Sequence, residues 1–386
     1  MKKIYDKSYM YAIISYVSAL KIEGRKSMSD FKHFEYMEKH RYEQVVYFYD
    51  KTTGLKGITC IHNTTLGPAL GGTRLWNYAT EEEAVVDCLR LARGMTYKAA
   101  AAGLNLGGGK TVLIGDPETV KCEGYFRALG RYVQSLNGRY ITAEDVNTST
   151  KDMDFVSMET DYVVGLEGKS GNPSPMTSLG AFHGIRAALQ FTFGDEDISK
   201  YTFAVQGAGQ TGYYLIKKLV EMKAKKIYFT EINKKHIERL KKEHPDVEYV
   251  DPKDIYGLNV DVFSPCALGG VLDDKSIPQI KAKIIAGTAN NVLLEEDIHG
   301  NMIKDKGILY APDFVINAGG LINVYHELKE YNIGRATRDI EKIYDRLLQI
   351  FRIAATENIH TQQAAKVFAK KRIETINNVQ DNYIKR

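Results

Sequence analysis

Apolar positions in the first third of the chain come in short bursts. Glu43-Gln-Val-Val-Tyr-Phe-Tyr49 and Gly57-Ile-Thr-Cys-Ile-His62 carry the β-branched and aromatic content of strands. From Glu81 the spacing turns helical. Ala84, Val85, Cys88, Leu91, Ala92 and Met95 share one face, and Lys98 follows on the same inward stripe. Thr80 and Glu83 form a Thr-x-x-Glu capping box at its start. Thr111-Val-Leu-Ile114 then reads as a short buried strand, with Lys110 at its entrance. In the second half, strand patterns at 201–205, 226–232, 260–263, 283–286 and 308–311 alternate with helical ones at 212–223 and 236–243. That alternation predicts an α/β chain with a parallel, doubly wound sheet.

The turn cluster Gly171-Asn-Pro-Ser-Pro175 places a domain boundary just after it. The expected division is an N-terminal α/β substrate-binding and oligomerisation domain over 29–176, rejoined by a helical tail over 345–386. A Rossmann domain covers 177–344, with a cleft between the two. Residues 1–28 read as an N-terminal extension, disordered or upstream of a start at Met28, with a targeting leader as the alternative.

Composition removes several function classes. The 386 residues carry a net charge of only +4, too little surplus for a nucleic-acid or anionic-membrane partner. No apolar run approaches the roughly 20 residues that span a bilayer. The four cysteines form no CxxC pair, so no thiolate zinc site is expected and a reducing, cytoplasmic compartment is.

Gly207-Ala-Gly209-Gln-Thr-Gly212 follows a strand and opens a helix, the context in which a glycine fingerprint holds a dinucleotide pyrophosphate. Glu231 ends the next strand, where a carboxylate accepts from the adenosine ribose and repels a 2′-phosphate, favouring NAD over NADP. Gly107-Gly-Gly109-Lys110-Thr111 imitates a P-loop, but Leu104 stands where its first glycine belongs. The run also leads from helix to strand, the reverse of the P-loop order.

Three ionisable residues occupy apolar or glycine-rich surroundings: Lys98, Lys110 and Asp145. A partly desolvated lysine loses its proton more readily and can serve as a general base, with a carboxylate beside it to pass protons. A second, charged lysine can hold a substrate carboxylate. Equally, both lysines can snorkel to solvent while Asp145 caps a turn.

At these residues the chain resembles the glutamate, leucine, phenylalanine and valine dehydrogenase family, most nearly its leucine-type members. The likeness runs from about Phe34 to near the C-terminus. It rests on Gly67-Pro-Ala-Leu-Gly-Gly-Thr-Arg74, Arg93-Gly-Met-Thr-Tyr-Lys98, Ala102-Gly-Leu-Asn-Leu-Gly-Gly-Gly-Lys110, Ala143-Glu-Asp-Val146, Ala286-Gly-Thr-Ala-Asn-Asn291 and Asn317-Ala-Gly-Gly-Leu-Ile-Asn-Val324. The resemblance implies NAD-dependent oxidative deamination of a branched-chain L-amino acid to the 2-oxo acid and ammonia, reversibly, by a homo-oligomer.

It further implies roles for individual residues. Lys98 binds the substrate carboxylate, Lys110 is the base, and Asp145 assists proton transfer. Gly71 and Gly72 floor a pocket lined by Leu70, Met95, Ala143, Thr177, Asn290, Leu321 and Val324. Gly207, Ala208, Gly209, Gln210, Thr211, Gly212, Glu231, Ile232, Cys266, Ala267, Ala289, Asn290 and Asn317 meet the cofactor, and no metal is called for. Leu321 stands where leucine-type members commonly carry valine, which leaves an aromatic amino-acid dehydrogenase as the alternative. A non-catalytic NAD-binding relative would have lost a paired lysine or the aspartate, and neither is lost here.

Overall fold

The computed structural model describes residues 31–380, and the expected extension over 1–28 lies outside them. The chain divides into two compact units: one holds 31–172, Val324–Ile333 and 369–380, the other Pro173–Asn323 and Gly334–Phe368.

The first unit runs α1 (His33–His40), β1 (Gln44–Tyr49), β2 (Lys56–Asn63), β3 (Ala69–Trp76), α2 (Glu81–Ala101), β4 (Gly107–Ile114), α3 (Glu123–Ser135), β5 (Tyr140–Glu144) and α4 (Thr150–Ser157). Its sheet has the order β1-β2-β4-β3-β5. β1 and β2 pair antiparallel, as do β2 and β4, whereas β4-β3 and β3-β5 are parallel. One face packs Ile58, Cys60 and Val112 against Val85, Cys88, Leu89 and Ala92 of α2. The other packs Ile61, Leu75, Leu113 and Tyr140 against Phe126 and Leu129 of α3 and Met153 of α4.

The second unit runs α5 (Ser174–Phe193), β6 (Thr202–Gln206), α6 (Gln210–Glu221), β7 (Lys226–Thr230), α7 (Lys234–Glu243), β8 (Glu248–Tyr249), β9 (Val262–Pro265), β10 (Ile284–Ile285), α8 (Glu296–Asp305), β11 (Leu309–Tyr310), α9 (Asp313–Ile316), α10 (Gly319–Tyr325), α11 (Ile333–Glu341), α12 (Ile343–Glu357) and α13 (Thr361–Gln380). α10, α11 and α13 each cross the division between the units. The sheet order is β11-β10-β9-β6-β7-β8, with every neighbouring pair parallel. Read from the other edge this is the 3-2-1-4-5-6 order of dinucleotide-binding sheets, and the strand order reverses between β6 and β9.

Several elements differ from expectation. The division falls at 172/173, because Pro175 sits in the first turn of α5, where a missing N–H costs nothing. Residues 345–368 cluster with the second unit rather than returning to the first; Ile343 and Leu347 of α12 press against Gly180 and Gly184 of α5. β4 begins at Gly107, so the triple glycine is strand and not turn. At each of these glycines a Cβ would collide: with Asn63 O (1.9 Å) at Gly107, Thr96 N (2.1 Å) at Gly108 and the Tyr140 ring (2.7 Å) at Gly109. Thr80 Oγ1 accepts from Glu83 N at 3.1 Å as expected, but Glu83 accepts from Ala79 N, one residue before the cap.

Candidate active site

The expected site residues fall into two groups, one in each unit. In the first, β4 carries Lys110 inward with its side chain only 5% exposed, and Nζ lies 2.8 Å from Asp145 Oδ2. Asp145 follows β5, its side chain 26% exposed. The turn there is closed by its backbone and by Thr148, whose Oγ1 accepts from Asp145 N at 2.8 Å and donates to Thr73 O at 2.8 Å. The Asp145 carboxylate therefore caps nothing, and Lys110 does not snorkel. Burial pulls the Lys110 ammonium below the usual lysine range, against the opposing pull of Asp145. For Asp145, burial alone would raise the carboxyl, but the Lys110 and Arg74 cations outweigh it and hold it well below the usual range.

β3 and β5 run side by side beneath this pair, with Gly72 opposite Ala143 and Leu70 opposite Ile141. Gly71 and Gly72 are glycines because the sheet leaves no room. A Cβ at 71 would meet Gly109 O at 1.8 Å, and one at 72 would meet Asp145 Cβ at 2.8 Å. Lys98 is half-buried rather than on the buried stripe of α2. The stripe consists of Ala84, Val85, Cys88, Leu89, Ala92, Thr96 and Ala99–Ala101, whereas Leu91, Met95 and Lys98 form its half-buried flank.

In the second unit the glycine turn leaves β6 at the strand-order reversal. Gly207 takes φ +95°, and a Cβ at Gly212 would meet Gly207 O at 1.9 Å, so both positions require glycine. Around the Cβ direction of Gly209 there is open space, and no side chain caps α6, leaving helix N–H groups for a pyrophosphate. Glu231 accepts from Ala208 N (2.9 Å), Ile232 N (2.8 Å) and Asn233 N (3.0 Å), tying the β7 end to the turn. Thr211 Oγ1 lies 2.6 Å from Thr288 Oγ1. Asn317 Nδ2 donates to Asn290 Oδ1 at 2.7 Å and to Ala289 O at 3.2 Å. These residues fit a dinucleotide.

Profiles for two parts of the chain match: "Glu/Leu/Phe/Val dehydrogenase, dimerisation domain" over residues 42–162, and "Glutamate/Leucine/Phenylalanine/Valine dehydrogenase" over residues 222–385. The leucine dehydrogenase of Geobacillus stearothermophilus is 54% identical over 91% of this chain and 96% of its own length. The chain belongs to the glutamate/leucine/phenylalanine/valine dehydrogenase family. It is an amino-acid dehydrogenase. An L-tryptophan dehydrogenase of Nostoc punctiforme is more distant, at 47% identity over 88% of this chain and 96% of its own. The crystal structure of an L-tryptophan dehydrogenase from Nostoc punctiforme superposes with a TM-score of 0.81 at 45% identity, covering 89% of this chain and 99% of that one.

Within this dehydrogenase the expected residues fall into both groups. Leu70, Gly71, Gly72, Met95, Lys98, Lys110, Ala143 and Asp145 lie in the first unit, as does Val324. Thr177, Leu321 and the expected cofactor residues lie in the second. Thr177 Oγ1 donates to Pro173 O at 3.0 Å, and a Cβ at Gly320 would lie 2.7 Å from Thr177 Oγ1. Cys266 is buried and its thiol is pushed up to about 11 by burial, while Ala267 is exposed beside Gly207. Ile232 is 71% exposed and Gln210 is exposed. Sequence reasoning passed over Arg74, which donates to Asp145 at 3.1 Å and to Asp87 at 2.8 Å. Its signal was an arginine in the otherwise uncharged strand Ala69–Trp76.

Proposed function

We propose that this amino-acid dehydrogenase oxidatively deaminates branched-chain L-amino acids, leucine foremost, with NAD, and aminates the 2-oxo acids in reverse. The observation that carries the reaction type is the enclosed Lys110 ammonium, 2.8 Å from Asp145. The greater identity to leucine dehydrogenases than to tryptophan dehydrogenases supports the substrate class.

The chemistry that bound NAD would supply is a hydride acceptor for the substrate Cα. Lys98 holds the substrate carboxylate as a point charge. Lys110, whose burial eases loss of its proton, takes a proton from the water that adds to the imino carbon. Asp145 carries protons to the departing amine. Leu70, Met95, Ala143 and Val324, all in the first unit, offer apolar lining to the substrate side chain. The turn from Gly207 to Gly212 would hold the pyrophosphate, Glu231 the adenosine ribose, and Asn290 with Asn317 the nicotinamide end. Cytoplasmic placement fits four free thiols. Assembly as a homo-oligomer fits the dimerisation-domain match.

The test is NADH formation at alkaline pH from L-leucine, L-valine, L-isoleucine, L-phenylalanine and L-tryptophan, repeated with NADP. We expect kcat/KM for leucine to exceed that for either aromatic substrate. An aromatic excess would favour the alternative that Leu321 suggests, and no turnover of any substrate would remove the reading.

A further inference from the structure

Lys110 and Asp145 already form a neutral pair, yet a second cation is buried against the same carboxylate. Arg74 Nε and Lys110 Nζ both donate to one oxygen, Asp145 Oδ2, at 3.1 and 2.8 Å. Arg74 is itself anchored from behind. Its NH1 donates to Asp87 Oδ2 at 2.8 Å, and the Tyr78 hydroxyl donates to that same oxygen at 2.7 Å. The Arg74 and Asp87 side chains are each 11% exposed. The four charges sum to zero, so the cluster needs no counter-ion from solvent. β3 supplies Arg74, the segment after it Tyr78, α2 Asp87, β4 Lys110 and β5 the approach to Asp145.

We propose that Arg74 is a positioning residue: fixed by Asp87 and Tyr78, its planar guanidinium pins Asp145 Oδ2 beside Lys110 and so aims the other carboxylate oxygen at the departing amine. A lysine in its place would supply the charge without the fork that reaches two carboxylates at once. The inference rests on the proposed roles of Lys110 and Asp145, and it deepens them by adding residues that neither touch substrate nor move a proton.

The arrangement has an electrostatic signature. The groups facing Lys110 are Asp145, Arg74 and Asp87, with Cys88 of α2, whose Sγ donates to Lys110 O at 3.2 Å, and Cys60, its register partner on β2. Arg74 works against the Lys110 ammonium and Asp87 works for it. Removing each charge must therefore move Lys110 in opposite directions, which a merely structural role would not do.

The experiment measures kcat, KM and the pH profile of kcat/KM for leucine in the full-length enzyme carrying R74Q, R74K, D87N, R74Q/D87N or K110A. The rising limb moves to higher pH in R74Q, to lower pH in D87N, and back toward the parent in the double variant. In R74K the limb stays near the parent while kcat falls at least ~10-fold, within the range of a mis-set general acid or base. KM for leucine changes less than kcat throughout. Limbs that stay still, or move the same way in R74Q and D87N, overturn the positioning role while K110A remains inactive. Turnover surviving in K110A overturns the base reading instead. D87N and R74K keep a cation at position 74, and they decide the point if R74Q does not fold.

Discussion

Gly72 and Asp145 occupy one space. A Cβ at position 72 would lie 2.8 Å from Asp145 Cβ and 2.5 Å from Glu144 O, so the aspartate reaches Lys110 only because β3 offers no side chain there. The glycine was expected to make room for a ligand. It also makes room for the aspartate.

Gly72→Ala is therefore expected to displace Asp145 rather than narrow the pocket. Overpacking of this kind costs about 1–3 kcal/mol. We expect a folded protein by circular dichroism with kcat reduced about 100-fold, as for loss of a proton-transfer group. A variant with parental kcat would show that the carboxylate position does not matter.

Glu231 joins the two turns at the end of β6 and β7 by accepting from three backbone N–H groups. Replacing it with alanine leaves those donors without this acceptor and removes the charge that repels a 2′-phosphate. E231A should raise KM for NAD roughly 10-fold, about 1.4 kcal/mol of binding. The ratio of NADP to NAD use should increase. Unchanged cofactor constants would sever Glu231 from the cofactor.

His62 is buried between Thr96 Oγ1 (2.8 Å) and His40 O (3.0 Å); burial, opposed by the hydrogen bond to the His40 carbonyl and aided by the Arg93 and His40 side chains, lowers it to about 4. The unfolded chain binds this proton more tightly, so stability is full above the ordinary histidine range and is lost as pH falls from about 6.5 toward 4. The loss from this one group amounts to about 3 kcal/mol at most. Denaturant titrations at pH 7 and 4.5 should show a smaller difference for His62→Gln than for the parent. Equal differences would mean that His62 is not held neutral.

Of the four thiols, Cys122 is exposed and Cys60, Cys88 and Cys266 are buried. With Cys266 pushed up to about 11, its thiolate is scarce at pH 8. Iodoacetamide should therefore modify Cys122 well before Cys266 in the native enzyme, read by peptide mass spectrometry. Faster labelling of Cys266 would contradict its enclosure.

Local pattern was enough for part of this architecture. β1, β2 and the alternation from β6 onward were legible because β-branched runs, helical spacing and glycine turns act within a few residues. β3 was not, since Gly71 and Gly72 interrupt its apolar run and their need for glycine comes from Gly109 and Asp145, far along the chain. The helix α5 was hidden behind two prolines that read as a turn.

The sequence by itself determined the fold class and the glycine turn after β6, because both depend on spacing along the backbone, and it singled out Lys98, Lys110 and Asp145 without deciding what they do. Only the tertiary structure decided that Lys110 is enclosed, that Asp145 shares one oxygen between Lys110 and Arg74, and that Lys98 sits on the flank of its helix. Those are facts about which strands lie side by side. The desolvation and charge pairing that set a side chain's chemistry arise from neighbours that the chain order does not reveal.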